Sequence, residues 1–426
     1  MHRGARQGGL LFLLALVSFM NYTDRMVLPA VAQAVKQEFS LSDTKLGFLS
    51  GFIFVLLYAV ASLPLAHLAD RSSRSRVMAG ALAFWSIATA ACGLATSFLQ
   101  LAAARACVGI GESACQPVGY ALISERVEPA HRNVAIGWFL LGNNFGIVAG
   151  FALGGWLGAR YGWRSAFMAV GIPGLIIAAA LASLRAAKNA AVTPGPLPQS
   201  GSKGLTAGFT AARRQFRNAR YNWLVLLSGV FAFTVFGPIA FLPAFFIRSH
   251  GLSMAIVGPV AGLAIGLGMA AGVMLGGAAA DRLTRRGAEQ PQWLCAATII
   301  LSGLAFAVAL TLQNAWVAFA ATFVACLFGS IASPIIAAAI QNESPEEARA
   351  VSAAVGTLAV SVLGIALAPL AIGMWSDALS PRFGLESLRY ALLIALGACL
   401  LTAALHVKIG RLLRNQRLTA VSPAGS

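Results

Sequence analysis

Twelve long apolar segments follow one another along this chain of 426 residues. Each has about the 20 residues that an α-helix needs to cross the hydrocarbon core of a bilayer. With 58% hydrophobic and only 11% charged residues, the composition excludes a soluble protein of this size. The chain is therefore predicted to be an all-α polytopic membrane protein with 12 transmembrane helices, at 8–35, 45–69, 76–97, 99–124, 132–159, 163–185, 222–248, 254–280, 291–312, 314–341, 350–376 and 386–408.

A polar stretch between the sixth and seventh spans divides the chain. It begins with the Pro-, Gly- and Ser-rich VTPGPLPQSGSKG and ends with the basic AARRQFRNAR, a composition typical of a linker. An internal repeat supports the same division, because the motif Asp-Arg-x-x-Arg follows the second span and recurs after the eighth. Three parts are predicted: an N-terminal six-helix bundle over 1–185, a cytoplasmic linker over 186–220, and a C-terminal six-helix bundle with a short cytoplasmic tail over 221–426.

The net charge of +17 indicates orientation in a membrane rather than binding to nucleic acid. Of the 31 Lys and Arg residues, 22 fall on the side that holds both termini and the linker, 7 fall on the other side, and two lie within spans. Because cytoplasmic loops carry the excess of Lys and Arg, both termini are predicted to be cytoplasmic. Short outer loops and a richness in Ala and Arg favour a bacterial inner membrane.

Four charged residues lie in the middle of predicted spans rather than at their ends. Asp24 and Arg25 occur in SFMNYTDRMVLP of the first span, and Arg105 and Glu112 occur in the fourth. Burying an ionised side chain in hydrocarbon costs at least about 2.5 kcal/mol, so such residues face a cavity or a partner and mark a pathway. At a rise of roughly 1.5 Å per residue, the first-span pair falls between Arg105 and Glu112 in depth, so the four could form one cluster near the middle of the membrane. The helical period also places four residues of the fourth span on one face: Arg105, Gly109, Glu112 and Gln116.

Several motifs resemble the signatures of the major facilitator superfamily of secondary transporters. They are the Asp-Arg-x-x-Arg loop and its copy, the central linker, and the Arg-x-x-x-Gly-x-Gly of the fourth span. The stretches NYTDR, RACVGIGES and GNNFGIVAG further resemble the Spinster branch of that superfamily. This resemblance covers essentially the whole chain. It implies two pseudo-symmetric six-helix bundles, alternating access, a central cavity lined by the first and fourth helices, and substrates similar to lysophospholipids or sphingolipids.

The resemblance and the buried charges together predict a proton-coupled secondary transporter of an amphiphilic anionic lipid. Protonation of an acid frees an arginine to bind an anionic group, so proton coupling is assigned to Asp24, Glu112, Arg25 and Arg105. The seventh span has six Phe residues in VFAFTVFGPIAFLPAFF, which either contact an apolar tail of the substrate or face the membrane lipid. The residues predicted to bind the substrate are Arg25, Arg105, Asn21, Tyr22, Gln116, Asn143, Phe231 and Phe236.

Two alternatives stay open at this point. The substrate of a proton-coupled transporter with these residues could instead be a small organic anion or a drug. The four intramembrane charges could also form a purely structural ion-pair network, since buried pairs can be retained to fix the register of helices.

The two Asp-Arg loops are predicted to act as a conformational latch. An acid at the end of one helix can pair with nearby arginines and with the positive N-terminal end of a helix in the opposing half. The residues assigned to this latch are Asp70, Arg71, Arg74, Asp281, Arg282 and Arg285. The alternative is that these charges only determine topology.

Enzymatic activity is not expected. The five histidines lie at the ends of spans or outside them, without an HExxH motif or a Ser-His-acid arrangement. The six cysteines lie in apolar segments without metal-ligand spacing, so neither a metal nor another cofactor is predicted, and the proton gradient is the expected energy source. Duplicated halves favour alternating access over a channel or an uncoupled lipid scramblase. We expect a monomer whose partners are membrane lipids, protons and the amphiphilic substrate.

Overall fold

The computed structural model describes residues 2–128, 131–183, 214–345 and 349–421, and the regular structure of these residues is helical throughout. The α-helices are, in chain order, α1 His2–Glu38, α2 Asp43–Gly47, α3 Ile53–Arg71, α4 Arg74–Cys92, α5 Phe98–Glu112, α6 Cys115–Arg126, α7 Arg132–Tyr161, α8 Trp163–Ser183, α9 Ala219–Ile239, α10 Leu242–His250, α11 Met254–Thr284, α12 Gln290–Thr311, α13 Ala315–Ser330, α14 Ala332–Asn342, α15 Arg349–Ala359, α16 Ala368–Phe383, α17 Ser387–Ala395 and α18 Gly397–Val421. Two π-helical segments, Phe48–Phe52 and Val360–Leu367, join α2 to α3 and α15 to α16.

Ten helical stretches of the described residues are long and apolar enough to cross a membrane. Nine of them correspond to single predicted spans, and the tenth, Val351–Leu418, contains the eleventh and twelfth. The fourth predicted span is broken by a turn at residues 113–114 into α5 and α6, of 15 and 12 residues. The predicted all-α membrane fold is confirmed.

The described residues form two compact units. Residues 2–128, 131–183, 239–266 and 369–388 belong to the first, and residues 214–238, 267–345, 349–368 and 389–421 belong to the second. The first unit thus contains all described residues of the N-terminal half together with two segments of the C-terminal half. The division predicted from the internal repeat stays a prediction, and residues 186–213 of the predicted linker lie outside the described residues.

Close contact between α1 and α7 organises the first unit. Gly142, Gly146 and Gly150 recur every four residues on α7, and a Cβ atom at each would overlap a backbone carbonyl of α1. The carbonyls belong to Ala15, Phe19 and Thr23. Only glycine permits this approach of two backbones, so the glycines of α7 fix the rotation of α1 about its own axis.

The position of α5 follows from its cap and its glycines. The Ser97 hydroxyl caps the helix by accepting from the Gln100 backbone N–H at 3.3 Å, and the Gln100 side chain accepts from the Thr96 N–H at 2.8 Å. Further along, Gly109 lies against the Phe54 carbonyl of α3, and Gly111 lies against Trp85 of α4. The helix is therefore wedged between α3 and α4, and this packing buries its two charged residues.

Hydrogen bonds between helices hold the second unit together. The Thr234 hydroxyl of α9 lies 3.1 Å from the Thr402 hydroxyl of α18, and His406 Nδ1 lies 2.7 Å from Gln292 Oε1 of α12. All four side chains are buried. These polar contacts satisfy buried groups in an otherwise apolar interior.

Candidate functional site

An ion pair between α1 and α5 forms the centre of the candidate site. Arg25 Nε donates to Glu112 Oε2 at 2.6 Å, and the two side chains are 15% and 0% exposed. A charged hydrogen bond of this length is among the strong ones, and it neutralises a carboxylate that has no access to water.

Three aromatic rings surround the guanidinium of Arg25. Its Cζ lies 4.8 Å from the ring centroid of Phe54, 5.3 Å from that of Tyr22 and 5.5 Å from that of Tyr58. Stacking on ring faces attracts the planar cation and holds its orientation. These contacts therefore fix the orientation of the guanidinium, whose side chain is 15% exposed.

Asp24 and Arg105 form a second, more loosely bonded pair of charges. Asp24 is 0% exposed and Arg105 is 1% exposed. Neither carboxylate oxygen of Asp24 has a hydrogen-bond partner among the described residues, and the same holds for Nε and Nη1 of Arg105. Glu112 and Arg105 are the charged groups beside Asp24, and Trp85 and Thr89 of α4 are its polar neighbours. The structure thus brings together all four charges that were assigned to proton coupling.

Of the other residues predicted to bind substrate, Asn21 and Tyr22 lie at the charged cluster, whereas Asn143 takes part in a contact between helices. Asn21 is 2% exposed and lies beside Glu112, and its Nδ2 has no hydrogen-bond partner in the described part of the chain. Tyr22 stacks on Arg25, and Asn143 of α7 accepts a hydrogen bond from the Ser18 hydroxyl of α1. Asn143 therefore helps to hold α1 against α7.

Gln116 and the two phenylalanines lie on helices other than α1 and α5, which carry the charged cluster. The turn at 113–114 interrupts the single helical face predicted for the fourth span, and Gln116 is half-buried on α6. Phe231 and Phe236 lie on α9 in the second unit, the first buried and the second half-buried. A role for these three residues in substrate binding stays a prediction.

The residues assigned to the conformational latch lie at helix ends. Arg74 Nη1 contacts Glu125 Oε2 of α6 at 3.3 Å, within the first unit. Arg71 is exposed, as are the three residues of the second loop, Asp281, Arg282 and Arg285. The side chain of Asp70 lies outside the described part of the structure. The latch therefore also stays a prediction.

Sequence analysis missed a second ionic network in the first unit, formed by Asp43, Arg248 and Asp377. Arg248 Nη2 lies 2.7 Å from Asp43 Oδ1, and Asp377 Oδ1 accepts from the backbone N–H of Asp43 at 2.8 Å. We refer to these three residues as the outer-end network. A signal was present in the sequence, because each of them stands at the end of a predicted span on the side with fewer basic residues.

Comparison with known proteins establishes the family. The model of the Major Facilitator Superfamily matches residues 14–369. The chain belongs to this superfamily. It is therefore an integral membrane transporter and not an enzyme, as predicted.

Among curated members of the superfamily, an MFS-type efflux pump of Mycolicibacterium smegmatis is 30% identical over 92% of this chain and 90% of its own length. A probable L-galactonate transporter of Escherichia coli is 27% identical over 65% of this chain and 62% of its own length. A probable sphingolipid transporter of Arabidopsis thaliana, spinster homolog 1, is 28% identical over 38% of this chain and 36% of its own length.

A solved structure supports the resemblance to the Spinster branch. It is a bacterial homologue of the human lysosomal transporter Spinster in an inward-facing, unoccupied conformation. It superposes with a TM-score of 0.87 at 26% identity, covering 96% of this chain and 98% of its own.

Proposed function

We propose that this protein is a proton-coupled secondary transporter that works by alternating access and moves an amphiphilic anionic lipid, such as a lysophospholipid or a sphingolipid-like molecule. The observation that carries the proposal is the cluster of two acids and two arginines inside the membrane, with Arg25 bonded to Glu112 at 2.6 Å. No cofactor is required, because the proton gradient supplies the energy.

The charges of the cluster balance, and a proton changes that balance. With both acids ionised, Asp24 and Glu112 match the two arginines, which lowers the cost of burying them. A proton on Glu112 removes the partner of Arg25 and leaves the guanidinium to an anionic substrate. One proton crossing 100 mV supplies about 2.3 kcal/mol, which is enough to bias alternating access.

Arg25 is the better placed of the two arginines to meet an anionic head group. Its side chain is 15% exposed, whereas Arg105 is 1% exposed. The hydrogen bond found for its guanidinium among the described residues uses Nε, so Nη1 and Nη2 stay available to a phosphate or a carboxylate. The rings of Tyr22, Phe54 and Tyr58 keep these donors in a fixed plane.

The two halves of the sequence differ in polarity, as expected for a transporter whose substrate has a charged head group and a lipid tail. The seventh span carries six Phe residues, and the four intramembrane charges lie in the first and fourth spans. Charged residues and aromatic residues match the head group and the tail of an amphiphile, respectively. Similarity to a probable sphingolipid transporter and to a Spinster homologue supports the same class of substrate.

A small organic anion is the second candidate. Similarity to a probable L-galactonate transporter over 65% of this chain favours it. A sugar acid needs the same arginine for its carboxylate, but it has no tail for an aromatic wall. The two candidates therefore share Arg25 and differ in their need for the seventh span.

Orientation is also part of the proposal. Both termini are placed in the cytoplasm of a bacterium, with the protein in the inner membrane, because 22 of the 31 basic residues fall on that side. The outer-end network then faces the periplasm. We propose that the protein works as a monomer.

Uptake into proteoliposomes distinguishes the two substrates. Radiolabelled lysophosphatidylglycerol is added outside, a pH gradient is imposed, and external lipid is removed with albumin before counting. We expect the protein to protect the lipid from extraction, Arg25→Gln to abolish this protection, and Arg160→Gln, which changes an exposed arginine, to retain it. Accumulation of labelled L-galactonate without protection of the lipid would overturn the lipid assignment in favour of the organic anion.

A further inference from the structure

One face of α4 carries two hydrogen-bond donors beside Asp24. Trp85 and Thr89 lie four residues apart on this helix, so they share a face, and both are 0% exposed. Both are polar neighbours of the Asp24 carboxylate. Cys92, three residues beyond Thr89 on the same face, also lies beside Asp24. This face of α4 therefore borders the buried acid over about two helical turns.

The Thr89 hydroxyl is not used by its own helix. Six other helical threonines donate to the backbone carbonyl four residues earlier, namely Thr23, Thr234, Thr311, Thr322, Thr357 and Thr402. The hydroxyl of Thr89 is buried and has no hydrogen-bond partner among the described residues. It is therefore available to a group on another helix.

The indole N–H of Trp85 is also unused. A buried tryptophan normally finds a partner for this group, and Trp163 donates from Nε1 to the Glu38 carboxylate at 2.6 Å. Trp85 Nε1 has no such partner in the part of the chain that the structure describes. A Cβ atom at Gly111 would lie only 2.7 Å from Trp85 Cβ, so this glycine lets α5 approach α4 at the level of the indole.

Asp24 is the acceptor that these two donors lack. Both of its carboxylate oxygens are buried without a hydrogen-bond partner within the described ranges. An ionised carboxylate in such a place is costly unless donors reach it. An indole N–H can only donate, and a hydrogen bond to a charged acceptor is stronger than one to a neutral acceptor. Donation from α4 therefore favours the ionised form of Asp24 over the protonated form.

We propose that Trp85 and Thr89 are positioning residues that set the proton affinity of Asp24. When Asp24 releases its proton, its carboxylate accepts from the indole N–H and from the hydroxyl, and these bonds weaken when the proton returns. The inference rests on the proposed function, in which Asp24 exchanges a proton. It adds α4 to a cluster whose charges lie on α1 and α5.

The charged and titratable groups around Asp24 belong to a few helices. Those beside it are Cys92 of α4 and Arg105 and Glu112 of α5, and Glu112 has in turn Arg25 of α1 and Cys115 of α6 beside it. The helices α7 and α8, which also pack against α1, carry no ionisable residue between 133 and 159 or between 165 and 183. Removing an uncharged donor from α4 leaves all of these charges in place, so a change in proton affinity then reports the lost hydrogen bond.

Infrared titration measures the proton on Asp24 directly. The full chain is reconstituted in lipid without substrate, with its aspartate carboxyl groups isotopically labelled, and the carbonyl band of the protonated acid is followed against pH. The part of this band that Asp24→Asn removes belongs to Asp24. We expect Thr89→Val and Trp85→Phe each to shift its midpoint upward by about one pH unit, because a charged hydrogen bond is about twice as strong as a neutral one.

Matched changes elsewhere in the chain provide the controls. Thr322→Val removes a buried hydroxyl that donates within its own helix, and Trp163→Phe removes an indole N–H from a different carboxylate. Both should leave the Asp24 midpoint unchanged. Thr89→Ser keeps the hydroxyl and should retain the midpoint of the unaltered protein. If Thr89→Val fails to fold, Trp85→Phe carries the test.

Two outcomes would overturn the inference and leave proton coupling intact. One is an unmoved Asp24 midpoint in folded Thr89→Val and Trp85→Phe. The other is an equal shift in Thr322→Val and Trp163→Phe, which would indicate a general loosening of the helices. A band of the unaltered protein that contains no part from Asp24 at any pH would overturn the inference and the proposed proton coupling together.

Discussion

Arg25 and Arg105 carry the same charge in different surroundings. Arg25 is bonded to Glu112, flanked by three aromatic rings and partly exposed. Arg105 is 1% exposed and lies beside Asp24, with its Cζ 5.3 Å from the ring centroid of Phe54. Because of these surroundings, we propose that Arg25 binds the substrate and that Arg105 neutralises the charge of the buried Asp24.

Lysine substitutions separate these roles. Arg25→Lys keeps the charge for Glu112 but loses the planar stacking and the paired donors, so we expect the KM for an anionic substrate to rise about tenfold. Arg105→Lys should change KM by less than about twofold and lower the thermal stability instead, because a buried lysine replaces a packed guanidinium. Initial rates at several substrate concentrations measure the first effect. Equal increases of KM in both variants would contradict the assignment.

The sequence predicts these residues but not their pairing. The helical rise places the first-span pair between the two charges of the fourth span in depth, and the balance of two acids and two arginines indicates a cluster. Which acid meets which arginine depends on how α1 and α5 are rotated. Contacts far away in the sequence set that rotation, such as Gly146 against Phe19 and Gly109 against Phe54.

At the scale of helices, the glycines of α7 determine how α1 presents its charges. A Cβ atom at Gly146 would overlap the Phe19 carbonyl and lie 2.9 Å from Tyr22 Cβ, next to the ring that stacks on Arg25. Gly137 on the same helix is exposed and has nothing within 4 Å of its added Cβ. The two positions form a matched pair of chemically identical changes.

Alanine at these two positions tests the helix contact. Gly146→Ala should destabilise the protein by about 1–3 kcal/mol, because the extra methyl group forces two backbones apart. Gly137→Ala should change stability by less than about 1 kcal/mol, and in the favourable direction, because alanine is the better helix former. Thermal unfolding in detergent measures both. Equal melting temperatures would show that α1 and α7 do not depend on this close approach.

Helix breaks were less predictable than helices. Hydropathy predicts apolar spans well, but the turn at 113–114 falls at Ser113 and Ala114, which are ordinary residues within a membrane helix. The π-helical segments Phe48–Phe52 and Val360–Leu367 likewise have no local signal beyond a glycine. Packing against neighbouring helices decides such features, and a single sequence does not contain that information.

At the scale of the whole molecule, the fold and family followed from the sequence, whereas the outer-end network did not. Motifs, repeat and charge asymmetry are local features that can be read from one sequence. More than a hundred residues separate Asp43 from Arg248, and again Arg248 from Asp377. In the sequence, each looks like any other charged residue at the end of a span. Their meeting depends on tertiary structure.

The central claim is that protons move with the substrate through the buried acids, and that Asp24, which lies beside Glu112, is required for this movement. Its most direct test is luminal pH, measured with a trapped fluorescent indicator in proteoliposomes to which a substrate gradient is applied without any initial pH gradient. The account predicts a change in luminal pH in step with substrate flux, which a protonophore abolishes. Asp24→Asn should move substrate down its gradient with no change in pH. Substrate flux through the unaltered protein at constant luminal pH, or proton movement in Asp24→Asn equal to that of the unaltered protein, would contradict it.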